Sequence, residues 1–372
     1  MRKFWIFLII TAILGSCTLT KTLYYNTVNI DDYKIFHNRE VKTTDSYKWK
    51  LSDSYNKYTI PNEKLSYFNE IGTVAYLVVK DGKIYHEEYW DNYNSDSYSN
   101  SFSMAKSFVS LLIGFAIDDG YIKSVNQKVA DFLPEFGGDE RKEITIKDVL
   151  TMSSGLDWGE SYWNPFGRTA RAYYGKNLYK IITNLKLKNK PGERFAYSSG
   201  DTQILAFIIE KATGKTLSDY CSEKLWKPLG AKHDALWSLD KKNGHEKAYC
   251  CFNSNARDFA LIGQFILQNG NWKGKQLISK DYLDESFTPA SHLVYGEENK
   301  KVTFYGYQWW LMDYKGMKIK YARGLLGQYI IVIPEKEMVI VRLGHHRDKK
   351  TEKGLPKDLF VWIDVAMDIT EN

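Results

Sequence analysis

The chain has 372 residues, with 51 Lys and Arg against 45 Asp and Glu, for a formal charge of +6. Its 44% hydrophobic and 26% charged residues are those of an ordinary globular protein, which excludes wholesale disorder and collagen-like order. The length allows two or three domains or one composite domain, and the mild, dispersed positive charge offers no footprint for nucleic acid, so none is expected as a partner.

At the N-terminus Met1-Arg-Lys3 precedes an apolar run from Phe4 to Leu14, shorter than the ~20 residues that span a bilayer. Positive residues, a short apolar core and a small-residue site describe a secretory signal, expected over residues 1–16. The site reads Leu14-Gly15-Ser16-Cys17 and resembles a bacterial lipobox. Lipidation of Cys17 would place several acyl chains in a membrane, at ~0.8 kcal/mol per buried CH₂. The expectation is an exported protein held on the periplasmic side or cell surface of a bacterial membrane. Residues 17–50 are polar, without sustained periodicity, and suit a tether. Three cysteines then remain, Cys221, Cys250 and Cys251. Adjacent cysteines are poorly placed to bridge each other, because a relaxed disulfide wants Cα atoms ~5.5 Å apart. A bridge from Cys221 to either neighbour would suit an oxidising compartment, and buried free thiols are the simpler expectation. No Cys-x-x-Cys occurs.

The first element is a hairpin, strands 74–80 and 83–89 around Asp81-Gly82, a dipeptide suited to the positive φ angles of a two-residue turn. A polar loop leads to a helix whose Phe108, Leu111, Leu112, Phe115 and Ala116 form one apolar stripe, with Gly120 to end it. From about 126 to 245 the pattern is mainly helical, with helices over 144–152 and 204–212, the second stopped by Gly214. A helix over 256–267 follows Asn255 as its cap. Strands return at 304–311, 317–321, 329–333 and 338–343, and a helix over 356–369 closes the chain. The expected fold is α+β: one antiparallel sheet built from N- and C-terminal segments, flanked by helices, with a mainly helical region inserted. That makes residues 51–372 one catalytic domain, its sheet part about 51–125 and 246–372 and its helical part about 126–245.

The sharpest chemical signal is Ser103-Met-Ala-Lys106. A serine hydroxyl needs a partner to take its proton as it attacks, and a helix puts residues three apart on one side. A desolvated Lys106 would be a neutral amine able to serve as that partner. The helix start also offers free N–H groups to an oxyanion. Ser54/Lys57 and Ser238/Lys241 share the spacing, and an ordinary amphipathic helix would turn Lys106 to water, so context must decide. Ser103, Lys106, Ser107 and Ser110 lie opposite the apolar stripe, directly after a long loop. Tyr197-x-Ser199 follows on a turn before a helix, and a tyrosine with a depressed pKa beside a lysine cation can pass the serine proton to a leaving group.

With Tyr321-Ala-Arg-Gly324-Leu-Leu-Gly327-Gln328 on an edge strand, these motifs resemble the serine β-lactamase-like superfamily, over roughly residues 60 to 365. That group holds class C β-lactamases, DD-peptidases, related carboxylesterases and 6-aminohexanoate-dimer hydrolase. The likeness extends through 150–158, Asn255-Ala-Arg-Asp258 and Tyr305-Gly-Tyr-Gln-Trp-Trp310. The resemblance implies Ser103 as acylated nucleophile, Lys106 as its base and Tyr197 as proton shuttle. It also implies the backbone N–H groups of Ser103 and Leu325 as oxyanion hole. Ser199 stands where many members have asparagine and would make a weaker or water-bridged contact to the substrate carbonyl. Ala322-Arg323-Gly324 replaces the usual Lys-Thr-Gly. Arg323 could clamp a substrate carboxylate in the lost lysine's place, and Gly324 suits a close backbone approach. In the oligomer hydrolase the stretch matching 157–177 is a lid, so Trp158 and Tyr162 are expected against substrate, with packing on the helical region as the alternative.

The expected activity is therefore a serine hydrolase acting on small esters, amides or peptides through an acyl-enzyme. The alternatives are a β-lactamase or DD-peptidase acting on cell-wall peptides, or a non-catalytic binding protein of that fold. No cofactor or metal is expected: His345-His346 lacks a His-Glu-x-x-His context, and no phosphate-cradling loop is present. No Gly-x-Ser-x-Gly elbow occurs either, which argues against an α/β-hydrolase.

Overall fold

The computed structural model describes residues 24, 25, 27–162, 164–349, 351, 352 and 355–371. The expected signal segment and Cys17 lie outside the described residues. The main sheet has seven strands: β1 Lys50–Leu51, β2 Thr73–Lys80, β3 Lys83–Tyr89, β4 Trp310–Tyr314, β5 Met317–Gly324, β6 Gln328–Ile333 and β7 Met338–Gly344. Their spatial order is β4-β5-β6-β7-β2-β3-β1, antiparallel except for the short β1–β3 pairing. Both ends of the chain thus build one sheet, the arrangement expected from the sequence.

The strands alternate between two cores, as side chains of period two must. Leu77, Val79, Ile330, Val332, Val339 and Val341 face one core, and Tyr76, Val78, Ile331, Ile333 and Ile340 face the other. Helices α1 Asn62–Glu70 and α5 Lys357–Glu371 cover the second face, where Phe68 meets Trp362 edge-on at 4.4 Å. The first face carries α4 Ala256–Leu267, capped by Asn255, whose side chain accepts the N–H of Asp258. A Cβ on Gly263 would come within 2.3 Å of Val339, so glycine sets how closely α4 lies on the sheet. The Asp81-Gly82 turn has the two positive φ angles, 51° and 70°, that its hairpin needs.

Beyond that layer runs α2 Ala105–Asp118, with α3 Ser199–Thr213 packed against it. α2 has no watery face. Lys106, Ser107 and Ser110 are as buried as its apolar stripe, and Ser107 donates to the Gln308 carbonyl at 2.7 Å.

Three expectations need correcting. The segment read as a tether is packed on the domain from residue 27 onward. Asn38–Val41 pairs with Ala235–Ser238 in a second sheet, completed by Phe252–Ser254 and Ser99–Asn100. Its polarity marks an edge strand rather than a loose linker. Residues 304–309 form a loop, not a strand. Gln308 has φ +62°, and Gly306 comes so near Ser286 O that a Cβ would sit 2.1 Å away. Cys250 and Cys251 are joined to each other, and among the described residues Cys221 is the free thiol, which is buried. Cys251 adopts a left-handed backbone, φ +68°, which brings the neighbouring sulfurs together.

Candidate active site

The nucleophile turn leaves the short strand Ser99–Asn100. Phe102 takes φ +45°, a strained conformation for a bulky residue, and its N–H is held by Asn100 Oδ1 at 2.9 Å. Ser103 sits in the 3₁₀ turn Phe102–Met104 that runs into α2, partly open to solvent. One turn on, Lys106 Nζ lies 3.0 Å from Ser103 Oγ. The amine also meets Ser199 Oγ at 3.2 Å and the Tyr249 carbonyl at 2.7 Å. Burial pushes Lys106 down to about 8, partly opposed by the Glu160 carboxylate. A neutral amine beside a hydroxyl is therefore accessible near physiological pH.

Tyr197 ends the turn before α3. Its phenol lies beside Ser103, and its ring centroid is 5.2 Å from Lys106 Nζ. The depressed pKa expected of it is not found. Burial raises the phenol well above its ordinary value, with Ser103 opposing, so Tyr197 holds its proton.

Ser199 opens α3, and its contacts were not foreseen. Its hydroxyl donates to Glu160 Oε1 at 2.9 Å and its N–H to Glu160 Oε2 at 2.7 Å. The single proton that a substrate carbonyl would need is thereby committed to the carboxylate. Glu160 escaped the sequence reading because nothing local pairs it with α3. The one available signal is that it is one of two acidic residues, with Asp157, in the aromatic stretch 157–177.

The third motif arrives from β5, which is not the edge strand expected: it pairs with β4 on one side and β6 on the other, and β4 forms the edge. A Cβ on Gly324 would lie 2.1 Å from the Ser101 carbonyl, so the strand end abuts the nucleophile turn and only glycine fits there. Leu325 begins the turn to β6. That turn is pinned by Arg342, which donates to the carbonyls of Leu326, Gly327 and His346 at 3.0, 2.8 and 2.9 Å. Arg342 too was missed, though a lone cation inside an apolar strand was visible. Arg323 is partly exposed, with its guanidinium 3.9 Å from the Trp310 ring centroid. Among the described residues the arginines in ion pairs with carboxylates are Arg39, Arg141, Arg168 and Arg257, and Arg323 is not one of them.

The lid segment divides. Trp158 is 2% exposed and wedges against Gly200, where a Cβ would come within 2.9 Å of its ring. It is a packing residue behind α3, not the substrate-facing one expected. Tyr162 is 49% exposed, and burial of its phenol together with the nearby Glu160 carboxylate raises its pKa. The helix Arg168–Tyr174 packs on the N-terminal segment, with the Tyr173 hydroxyl donating to Asp32 at 2.6 Å. His345 meets Asp91 at 3.1 Å, and among the described residues no His, Cys, Asp and Glu cluster of three or more is arranged for a metal ion.

Comparison with known proteins follows from this geometry. The family described as beta-lactamase matches residues 62–358. The 6-aminohexanoate-dimer hydrolase of Paenarthrobacter ureafaciens is 27% identical over 316 residues, 80% of each chain. Among solved structures, a Bacillus anthracis protein provisionally described as a 6-aminohexanoate-dimer hydrolase superposes with a TM-score of 0.78 at 21% identity, covering 92% of this chain and 94% of that one. A family VIII carboxylesterase superposes with a TM-score of 0.65 at 14% identity, covering 87% of this chain and 99% of the other.

Proposed function

The chain belongs to the beta-lactamase family of serine hydrolases, and from that premise we propose that it cleaves ester or amide bonds through an acyl-enzyme on Ser103. The observation that carries this reading is the 3.0 Å contact between Ser103 Oγ and a Lys106 amine that is 1% exposed. The neutral amine takes the Ser103 proton as Oγ attacks the carbonyl carbon. Backbone N–H groups of Ser103 and Leu325 receive the oxyanion, a donor of that kind being worth about 10²–10³ in rate. Tyr197, kept protonated by its surroundings, gives its proton to the leaving group and is recharged from the lysine cation. Water then attacks the ester by the reverse route.

Arg323, stacked on Trp310 and without a carboxylate partner among the described residues, supports a substrate bearing a carboxylate. Ala322 stands where lactamases carry lysine, which favours ester or amide turnover over β-lactams. The Leu14-Gly-Ser-Cys17 site supports an exported, lipid-anchored enzyme.

A fluorophosphonate should label the parent protein, and Ser103→Ala should lose both labelling and turnover of short-chain esters and amides. Full labelling of that variant would reject the assignment. Rapid, complete hydrolysis of a chromogenic cephalosporin would move the substrate reading to β-lactams.

A further inference from the structure

Glu160 stands on the aromatic loop, yet both its oxygens close on the first residue of α3. Through Ser199 it reaches the centre of the chemistry. Ser199 Oγ gives its proton to Glu160 and accepts from Lys106 Nζ, which lies against Ser103 Oγ. One hydrogen-bonded chain therefore runs from a loop carboxylate to the nucleophile.

The surroundings of Lys106 make that carboxylate distinctive. From α2's own side it meets Ser103, and from the α3 side Ser199 and the Tyr197 ring. From the third side come the Tyr249 carbonyl and ring, the latter at 5.7 Å. All of these are uncharged, and Glu160 is the charge that acts on the amine. The Tyr162 phenol also lies near Glu160, and Arg323 acts on the Tyr197 side rather than on the amine.

We propose that Glu160 is a positioning residue for the lysine base. Through Ser199 it holds the amine against Ser103, and its negative charge faces the cation formed when the amine takes the serine proton. In that step the Ser103 O–H bond breaks and a Lys106 N–H bond forms. The electron pair stays on Oγ, which attacks the carbonyl carbon. Because Glu160 belongs to the loop over the site, the seating of that loop and the readiness of the nucleophile are linked. The inference rests on the acyl-enzyme reading.

The test is the pH profile of fluorophosphonate inactivation. Its acid limb reports the loss of neutral lysine below the amine's pKa. Glu160 favours the charged amine, so removing its charge moves the limb to lower pH. In Glu160→Gln the limb should fall by on the order of one pH unit. The plateau rate should fall about three- to tenfold, because the amine is a weaker base and less firmly held. Glu160→Asp keeps the charge but withdraws it by one methylene and should lie between the two. Variants that scale the rate uniformly, with the limb where the parent has it, would overturn the proposal. Where Glu160→Gln does not fold by circular dichroism, Glu160→Asp decides on the same criterion. A parent that is not labelled at all refutes the acyl-enzyme reading instead, so the two failures are distinct.

Discussion

Lys106 and Arg342 are both wholly buried cations, and their surroundings differ in kind. Arg342 spends its fork on backbone carbonyls of Ile71, Leu326, Gly327 and His346 and on the Thr73 hydroxyl, with Asp358 as the nearby opposing charge. Burial brings it down only to about 10, so it stays charged across the working range and acts as a fixed strut for the turn after Gly324. Lys106 meets one carbonyl and two hydroxyls, and those hydroxyls can return a proton. Its drop to about 8 puts it where it titrates. A buried cation is structural when carbonyls take most of its donors and it keeps its charge, and chemical when its pKa falls to where it can exchange a proton with the hydroxyls around it.

That contrast can be broken at either end. The largest effect is expected from Lys106→Met, which should slow acylation by on the order of 10³-fold or more in a stopped-flow assay. Its thermal midpoint should be no lower than the parent's. Below pH 8 the parent holds a desolvated ammonium; between about 8 and 10.5 the unfolded chain binds more protons than the folded one. Parental stability therefore rises with pH through that window, and any advantage of the variant shrinks. A midpoint depressed at every pH would make Lys106 a strut like Arg342.

Arg342→Lys should do the opposite, losing about 3–5 kcal/mol in urea unfolding because one ammonium cannot replace the fork and leaves carbonyls unpaired. Equal stability would mean that the turn after Gly324 holds itself. A smaller effect is expected at Asp201, the buried acid whose Oδ1 accepts from Ser154 at 2.8 Å. Burial raises it to about 7. Its folded pKa exceeds the ordinary 3.8, so its stabilising contribution is complete below pH 3.8 and is lost as pH rises through 7. Asp201→Asn should be more stable than the parent by about 1–3 kcal/mol at pH 8 and equal to it near pH 4. A constant gap across that range would show that Asp201 does not titrate there.

Much of the fold was legible because its signals are local. Asp81-Gly82 sets its hairpin, Asn255 caps its helix at Asp258, and Gly214 ends α3 in a left-handed conformation at φ +68°. Ser103 and Lys106 lie three residues apart at a helix start, so their contact followed from that spacing once the polar residues opposite the apolar stripe had singled out this pair. What stayed hidden depends on partners distant in sequence. Glu160 gains meaning only beside Ser199, and Arg342 only beneath the turn it pins. Asn38–Val41 becomes a strand because Ala235–Ser238 offers it an edge. The aromatic run 304–309 has the composition of a strand, but contacts at Ser286 and Leu150 bend it into a loop. Tyr197 shows the same limit for chemistry: its position could be read, but not the burial that keeps its proton in place.

The early strand Asn38–Val41 has a practical consequence for anyone preparing soluble protein. A recombinant fragment trimmed to the family match would begin at residue 62 and leave the Ala235–Ser238 rim bare. It would also strip Asp32 from the Tyr173 hydroxyl. Open rims of this kind recruit other chains, so such a fragment should clump where one starting near residue 27 stays dispersed.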